Sequence, residues 1–291
     1  MNYPSYYKAA DAASKKAQTS YLLIIGLNLI FMIMAAVAAI YNFQCESAKL
    51  FIYAASGILL FASLIFSIIL KTKKFEDVWY QGRALAESVK TISWRYITCS
   101  EGFGKEFENQ VDDLFIKRIK ELSNEVKGLN KDLDPEILLL PIITPEMKNG
   151  RSKSLSGRKE MYLDERIKEQ KDWYSKKAIF NKRRYNLWFA LIIICQSLSI
   201  ISIVYLIKVP LSNFKLVGLF TTLASSAIGW LQLKQHQALT QAYATAVLEL
   251  SIIETSALNV NSEEMLSKFV LDSENAISRE HTLWLAQKRN N

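Results

Sequence analysis

The chain is poor in the residues that interrupt helices and in those that carry covalent or metal chemistry. Five prolines and ten glycines punctuate 291 residues, and strand-like alternation is nearly absent, so the fold class expected is all-α. The three cysteines fall in different settings: Cys45 in a short loop, Cys99 in a charged segment and Cys195 in an apolar run. An odd count so dispersed excludes a disulfide framework. His236 and His281 have no Cys or carboxylate at ligand spacing, so no metal site is expected and both read as single surface histidines. Neither Gly-x-Ser-x-Gly nor His-Glu-x-x-His occurs, and Glu101-Gly102-Phe103-Gly104-Lys105 lacks the glycine spacing and following Ser/Thr of a phosphate-binding loop. Glu106, Glu108, Asp112 and Asp113 fall on helix positions expected to face solvent. No catalytic residue and no cofactor is expected, and the chain does not read as an enzyme.

Charge is missing from four long stretches. Leu22–Ile40, Leu50–Leu70, Leu187–Ile207 and Leu216–Leu233 contain no Asp, Glu, Lys, Arg or His, over 19, 21, 21 and 18 residues. A hydrocarbon core of roughly 30 Å takes about 20 helical residues, and a soluble helix would show a polar face every second turn. Four transmembrane helices are therefore expected. A polar, amphipathic stretch precedes the first run and no small-residue cleavage site follows it, so it reads as a span and not a signal peptide.

What charge there is lies between these runs. The short loops Tyr41–Lys49 and Lys208–Lys215 hold three of the 36 basic residues. Lys71, Lys73 and Lys74 follow the second run, and residues 151–184 carry twelve Lys/Arg against five Asp/Glu, nearly the whole formal charge of +8. Lys and Arg mark the cytoplasmic side. Both termini and the middle of the chain are placed on the cytoplasmic side. Positive-inside bias and contact with anionic lipid explain this charge. A dedicated anion site at Lys176, Lys177, Lys182, Arg183 and Arg184 is the alternative.

The organisation is one unit written twice. Ala13-Ser14-Lys15-Lys16-Ala17 precedes the first run and Tyr174-Ser175-Lys176-Lys177-Ala178 the third. Each half runs amphipathic helix, span, short loop, span, amphipathic helix. The two hairpins enter from one side, a parallel duplication with long cytoplasmic helical extensions. Phe75, Val78/Trp79, Leu85, Val89, Ile92 and Tyr96 after the second run, and Leu239, Ala242/Tyr243, Ala246, Leu250, Ile253 and Ala257 after the fourth, recur at helical spacing. Both inner spans are thus expected to continue unbroken into the cytoplasm. Further helices are expected at Val111–Leu129 and, with Ser262 as its start signal, at Glu263–Gln287. The halves are residues 1–133 and 158–291, joined by a linker over 134–157 whose Arg151–Gly157 end reads as mobile.

Within the runs, Thr222, Ser225, Ser226 and Gly229 line one stripe with Gly218, while Gln196 shares a face with Ser199. Ser56, Ser63 and Ser67 repeat the pattern on the second run, and Asn28 stands alone in the first. Small and hydroxyl residues either bring helices together or line water in an oligomer; both readings stay open. Tyr6, Tyr7, Tyr21, Trp79, Trp173, Tyr185, Trp188 and Trp230 read as interfacial anchors.

Asp11-Ala-Ala-Ser-Lys-Lys-Ala-Gln18 resembles the opening of one SLATT subfamily. Gln170-Lys-Asp-Trp173-Tyr174-Ser-Lys-Lys-Ala178, with Trp230-Leu-Gln-Leu-Lys-Gln235, resembles another. The resemblance covers both hairpins and their flanking helices. It implies a two-span membrane effector of bacterial antiviral or conflict systems that forms pores on a nucleotide signal from a partner nucleotidyltransferase, with no catalytic residues to carry over. The expected assembly is a homo-oligomer in membrane lipid, taken as a tetramer, since four helices leave no room for a wide conduit within one subunit. The alternative is a membrane-anchored adaptor whose cytoplasmic helices recruit a partner protein.

Overall fold

The computed structural model describes residues 1–40, 46–212 and 215–289, with side chains at 1–40, 48–212 and 215–278. Cys45 and the side chain of His281 lie outside the described residues. Helices follow one another in the order α1 (Ser5–Ala38), α2 (Glu46–Lys73), α3 (Phe75–Ile97), α4 (Val111–Glu125), α5 (Pro135–Leu138), α6 (Pro145–Ser152), α7 (Leu155–Tyr162), α8 (Glu169–Lys208), α9 (Val217–Lys234), α10 (His236–Ser256) and α11 (Glu263–Arg289). No strand forms among the described residues, so the fold is all-α.

The chain divides into two compact units, each drawing on both sequence halves. Unit 1 takes Met1–Gln18, Glu76–Ala178 and Gln241–Asn291; unit 2 takes Thr19–Phe75 and Ile179–Thr240. Among the described residues, three helices are long and apolar enough to cross a membrane: Ser5–Ala38, Ala48–Lys73 and Leu155–Lys208. Their apolar side chains stay largely uncovered, with Leu50, Phe51 and Ile58 at least 70% exposed. Contiguous apolar surface of that kind needs lipid, not water. The fourth run forms α9, of 18 residues and so about 27 Å long. Its two glycines, two threonines and two serines make it the least apolar of the four.

The unbroken helices are the outer ones. α7, a π-helical stretch over Leu163–Lys168 and α8 run together as one helix of 54 residues, about 80 Å. The inner spans do not continue unbroken, against expectation. α2 stops at Lys74 (φ 48°) and α9 at Gln235 (φ 49°), and a new helix starts at the next residue. One left-handed residue cannot stay in an α-helical ladder, so one helix ends and the next begins there without a loop. Lys74 and Gln235 are 161 residues apart, the same offset as Ser14 and Ser175 in the repeated motif. The duplication therefore includes the break.

Unit 1 has the larger core. The stripes expected on α3, α4 and α10 are buried at Leu85, Val89, Tyr96, Val111, Phe115, Ala246 and Leu250. Trp94 and Tyr162 meet edge to face at 5.5 Å, Tyr162 and Phe269 at 5.9 Å. Tyr6, Tyr7 and Trp173 pack against this core instead of anchoring at an interface. α1 and α3 pack tightly at Gly82, where a Cβ would meet the Ala10 carbonyl oxygen at 3.0 Å and Ser14 Cβ at 3.1 Å. Tyr243, its counterpart 161 residues on, instead meets Trp173 edge to face at 5.4 Å and Tyr174 at a tilt at 5.5 Å.

The 134–157 segment, expected as a linker, is helical over α5 and α6 and helps to build unit 1. Asp134 and Thr144 cap these helices by accepting from Glu136 N–H and Met147 N–H. Met147 and Arg151 are buried. Arg151 donates to the carbonyls of Tyr96 and Phe103, both at 2.8 Å, and to Glu108 at 2.8 Å. Glu108 and Asp112 are thus not idle solvent-facing acids, since Asp112 accepts from Tyr96 OH and Lys148 at 2.6 and 2.7 Å.

Candidate functional site

The polar residues of the apolar helices sort into inward and outward sets. Asn28 is not alone: its Oδ1 accepts from Ser63 and its Nδ2 donates to Ser67 Oγ at 3.3 Å. This amide–hydroxyl cluster joins α1 to α2, as packing between spans requires. Ser226 is buried beside Ala224 and Ala227, whereas Ser225 and Gly229 face outward on α9. Thr222 is half-buried and returns its hydroxyl to the Gly218 carbonyl at 2.8 Å. Positions 218 and 229 have open space where a Cβ would point. The expected stripe therefore splits: Ser226 packs within the unit, while Gly218, Thr222, Ser225 and Gly229 form the outer row. Gln196 and Ser199 separate in the same way, Gln196 exposed and Ser199 buried near Cys195.

The five basic candidates on α8 are all exposed. At about 100° per residue, Lys176 and Lys177 sit side by side within unit 1, and Lys182, Arg183 and Arg184 fan around the helix within unit 2. Lys177 lies 5.6 Å from the Trp173 ring and Arg184 5.3 Å from Phe180. None of the five lines the cavity at Arg95, Glu101 and Lys117 or the one at Arg83, Thr91 and Tyr174.

Three other arginines of the basic stretch turn inward, which charge counting alone does not reveal. Arg151, Arg158 and Arg166 are buried. Arg158 donates to Thr98 O at 2.7 Å and to Glu263 at 2.5 Å. Arg166, within the π-helical stretch, grips Glu274 through Nε at 2.9 Å and Nη2 at 2.7 Å. Glu274 also accepts from Tyr162 OH at 2.9 Å and Thr91 Oγ1 at 2.7 Å. Burial works against the Arg166 charge, and Glu274 outweighs it, holding the guanidinium protonated. Lys90 feels the same field without such a partner: burial and then Arg166 push it down to about 8. The only sequence signal for these roles was spacing, since 151, 158 and 166 recur near every second helical turn.

His236 is also not a surface residue. It is buried just after the Gln235 break and its ring Nδ1–H donates to Asn181 Oδ1 at 2.7 Å. Burial, with the cations Lys234 and Arg184, pushes its pKa down to about 4, so the ring is neutral. Among the described residues no three His, Cys, Asp or Glu groups stand together as metal ligands.

Family comparison accounts for nearly the whole chain in two pieces. Residues 4–159 match SMODS and SLOG-associating 2TM effector domain 3, and residues 162–284 match SMODS and SLOG-associating 2TM effector domain 1. No curated protein and no solved structure matches the chain. Effectors of this kind are membrane domains associated with defence systems. With apolar helices in both halves and a break repeated at one offset, the chain belongs to the SLATT family, as a tandem of two such domains.

Proposed function

We propose that the protein is an oligomeric pore or ion channel of the bacterial inner membrane, controlled by a nucleotide signal during anti-phage or conflict defence. Each subunit crosses four times, α9 being the fourth span, with both termini in the cytoplasm. A partner nucleotidyltransferase supplies the signal, and several copies, four in the simplest arrangement, surround the conduit. The observation that carries this reading is the outward row Gly218, Thr222, Ser225 and Gly229 on α9. An isolated subunit would turn that row of small residues to lipid, whereas small residues ordinarily mark where helices meet. Exposed Leu248 and Ile252, one turn apart on α10, favour self-association outside the apolar helices as well.

Thr222→Leu tests the conduit. Purified protein in planar bilayers should conduct, and the variant should lose current by dewetting while its native mass stays that of the oligomer. Loss of the oligomer before the current would transfer the row to a helix contact. A monomeric native mass in nanodiscs would remove the pore altogether. Topology is separable: Cys45 should label from outside, and a cysteine at exposed Ser152 should not. Native Cys99 is buried and its thiol pushed up by that burial, so its protection says nothing about sidedness.

A further inference from the structure

Unit 1 contains a cavity of about 320 Å³ between the end of α3, the turn that follows it and α4. Three cations line it: Arg95 from the last turn of α3, and Lys117 and Arg118 from α4. Two carboxylates, Glu101 and Glu121, share the rim, and Ile92 and Leu114 add apolar surface. The volume is that of a small-ligand site.

The cations are loosely committed. Arg95 reaches Glu101 only at 4.0 Å. Its Nε is buried with no hydrogen-bond acceptor among the described residues. Buried guanidinium N–H groups are ordinarily bonded, and this Nε lies behind the cavity wall, out of reach of solvent; the charge Arg95 offers the cavity is that of its terminal nitrogens. Lys117 makes no ion pair among the described residues. Arg118 pairs with Glu121 at 2.6 Å, but both partners are more than 40% exposed, and water-exposed pairs of this kind hold weakly. An entering anion displaces two screened carboxylates and gains a planar fork and an ammonium.

The rim, by contrast, is fixed. Gly102 has φ 81°, a conformation that favours glycine, and a Cβ there would meet open space. Cys99, three residues earlier, is left-handed as well. Arg151 holds the Phe103 carbonyl at 2.8 Å, and Phe103 is buried in the core. The turn is not a phosphate-binding loop: Phe103 N–H is spent on Ser100 O, and Lys105 turns to Glu263 at 2.9 Å. Anion recognition here would fall to side chains.

We propose that this cavity binds a small, water-soluble phosphate compound, its phosphoryl group held by Arg95, Lys117 and Arg118. Guanidinium forks match phosphoryl oxygens two at a time, and the ammonium adds a point charge. Ile92 and Leu114 leave room for an apolar or planar remainder. This inference rests on the nucleotide control proposed above and gives it a place other than the basic residues of α8.

The full chain in phosphatidylcholine nanodiscs is titrated calorimetrically with AMP, inorganic pyrophosphate and adenosine. AMP and pyrophosphate bind saturably and adenosine does not. Arg95→Lys keeps the charge and loses the fork, weakening AMP by at least about tenfold. Lys117→Gln, on an exposed helix face that tolerates change, weakens it several-fold without altering the fold. Arg183→Gln with Arg184→Gln leaves binding unchanged. No saturable binding of either phosphate probe, or loss of binding only in the Arg183/Arg184 variant, overturns the assignment. So does AMP binding abolished by phosphatidylglycerol in the disc, which would give the cavity to a lipid headgroup. Because conductance is not the readout, binding without current would sink the pore and keep the site, and current without binding the reverse.

Discussion

The two units solve the problem of buried polar groups in opposite ways. Unit 1 buries full charges: Arg166 against Glu274, Arg158 against Glu263, and Arg151 among backbone carbonyls. In unit 2 the buried polar side chains are neutral, such as Ser63, Asn181, Ser199, Ser226 and His236. A charge is tolerable only where several partners meet it at once, as Glu274 is met by an arginine fork, a phenol and a hydroxyl. Helices that lie in lipid lack water as the alternative partner and rely on small hydroxyls and amides. The difference predicts where each unit is brittle.

The largest effect should follow from Glu274→Ala. Removing one partner strands Arg166, which is 1% exposed, and breaking a buried pair typically costs about 3–5 kcal/mol. Denaturant unfolding of the purified protein should lose about that much for unit 1. Asn28→Leu in unit 2 should cost well under half as much, because the spans stay packed by apolar contact. Equal losses would mean that the units do not differ in kind.

Next comes the contact that the two repeats build differently. Gly82→Val places methyl groups where even a Cβ meets backbone oxygen at 3.0 Å, and over-packing costs about 1–3 kcal/mol. Tyr243→Ala, at the matching offset, instead leaves a hole beside Trp173 and Tyr174. Heating should unfold both variants early. Only the tyrosine variant should recover when a bulky residue such as Phe is restored, while Gly82 should accept nothing larger than Ala.

These contacts mark the limit of what could be read from residue order. Apolar runs and 3.6-residue stripes report one helix at a time, so the all-α fold, the repeat and the core faces of α3, α4 and α10 were readable. Arg151 and His236 were misassigned because charge count and polarity do not say which way a side chain points. The breaks at Lys74 and Gln235 were invisible for another reason. Neither residue is Gly or Pro, so nothing in residue type marks the left-handed turn in the pattern. The candidate ligand cavity joins Arg95 to Lys117 across a turn, a proximity that spacing cannot supply.

A smaller effect distinguishes unit 2 by pH. His236 is held near 4 in the folded chain, and an unfolded histidine titrates near 6.5. Between these values the unfolded chain takes up a proton that the folded chain refuses, so stability falls as pH drops from about 6.5 toward 4 and is full above that window. Unfolding midpoints at pH 7.5 and 4.5 should differ less in His236→Gln than in the parent chain. An unchanged difference would move the acid sensitivity to carboxylates elsewhere.

The smallest effect compares the two breaks themselves. A non-glycine residue in the left-handed region carries a backbone cost of about 1–2 kcal/mol. Glycine removes it but loses more entropy on folding, so Lys74→Gly should stabilise by well under 1 kcal/mol. Lys74 is exposed, and nothing else changes there. At Gln235 the side-chain Oε1 is buried with no hydrogen-bond partner among the described residues, a burden that Gln235→Gly also removes. The second variant should therefore gain more than the first, although the two positions occupy one site in the repeat. Paired unfolding curves decide between two accounts. A larger gain at Gln235 means that the break is held by packing around each helix junction, and that local side chains set its cost. Loss of stability at both positions would mean that the Lys and Gln side chains themselves hold the break, and that glycine frees the inner spans to straighten into α3 and α10.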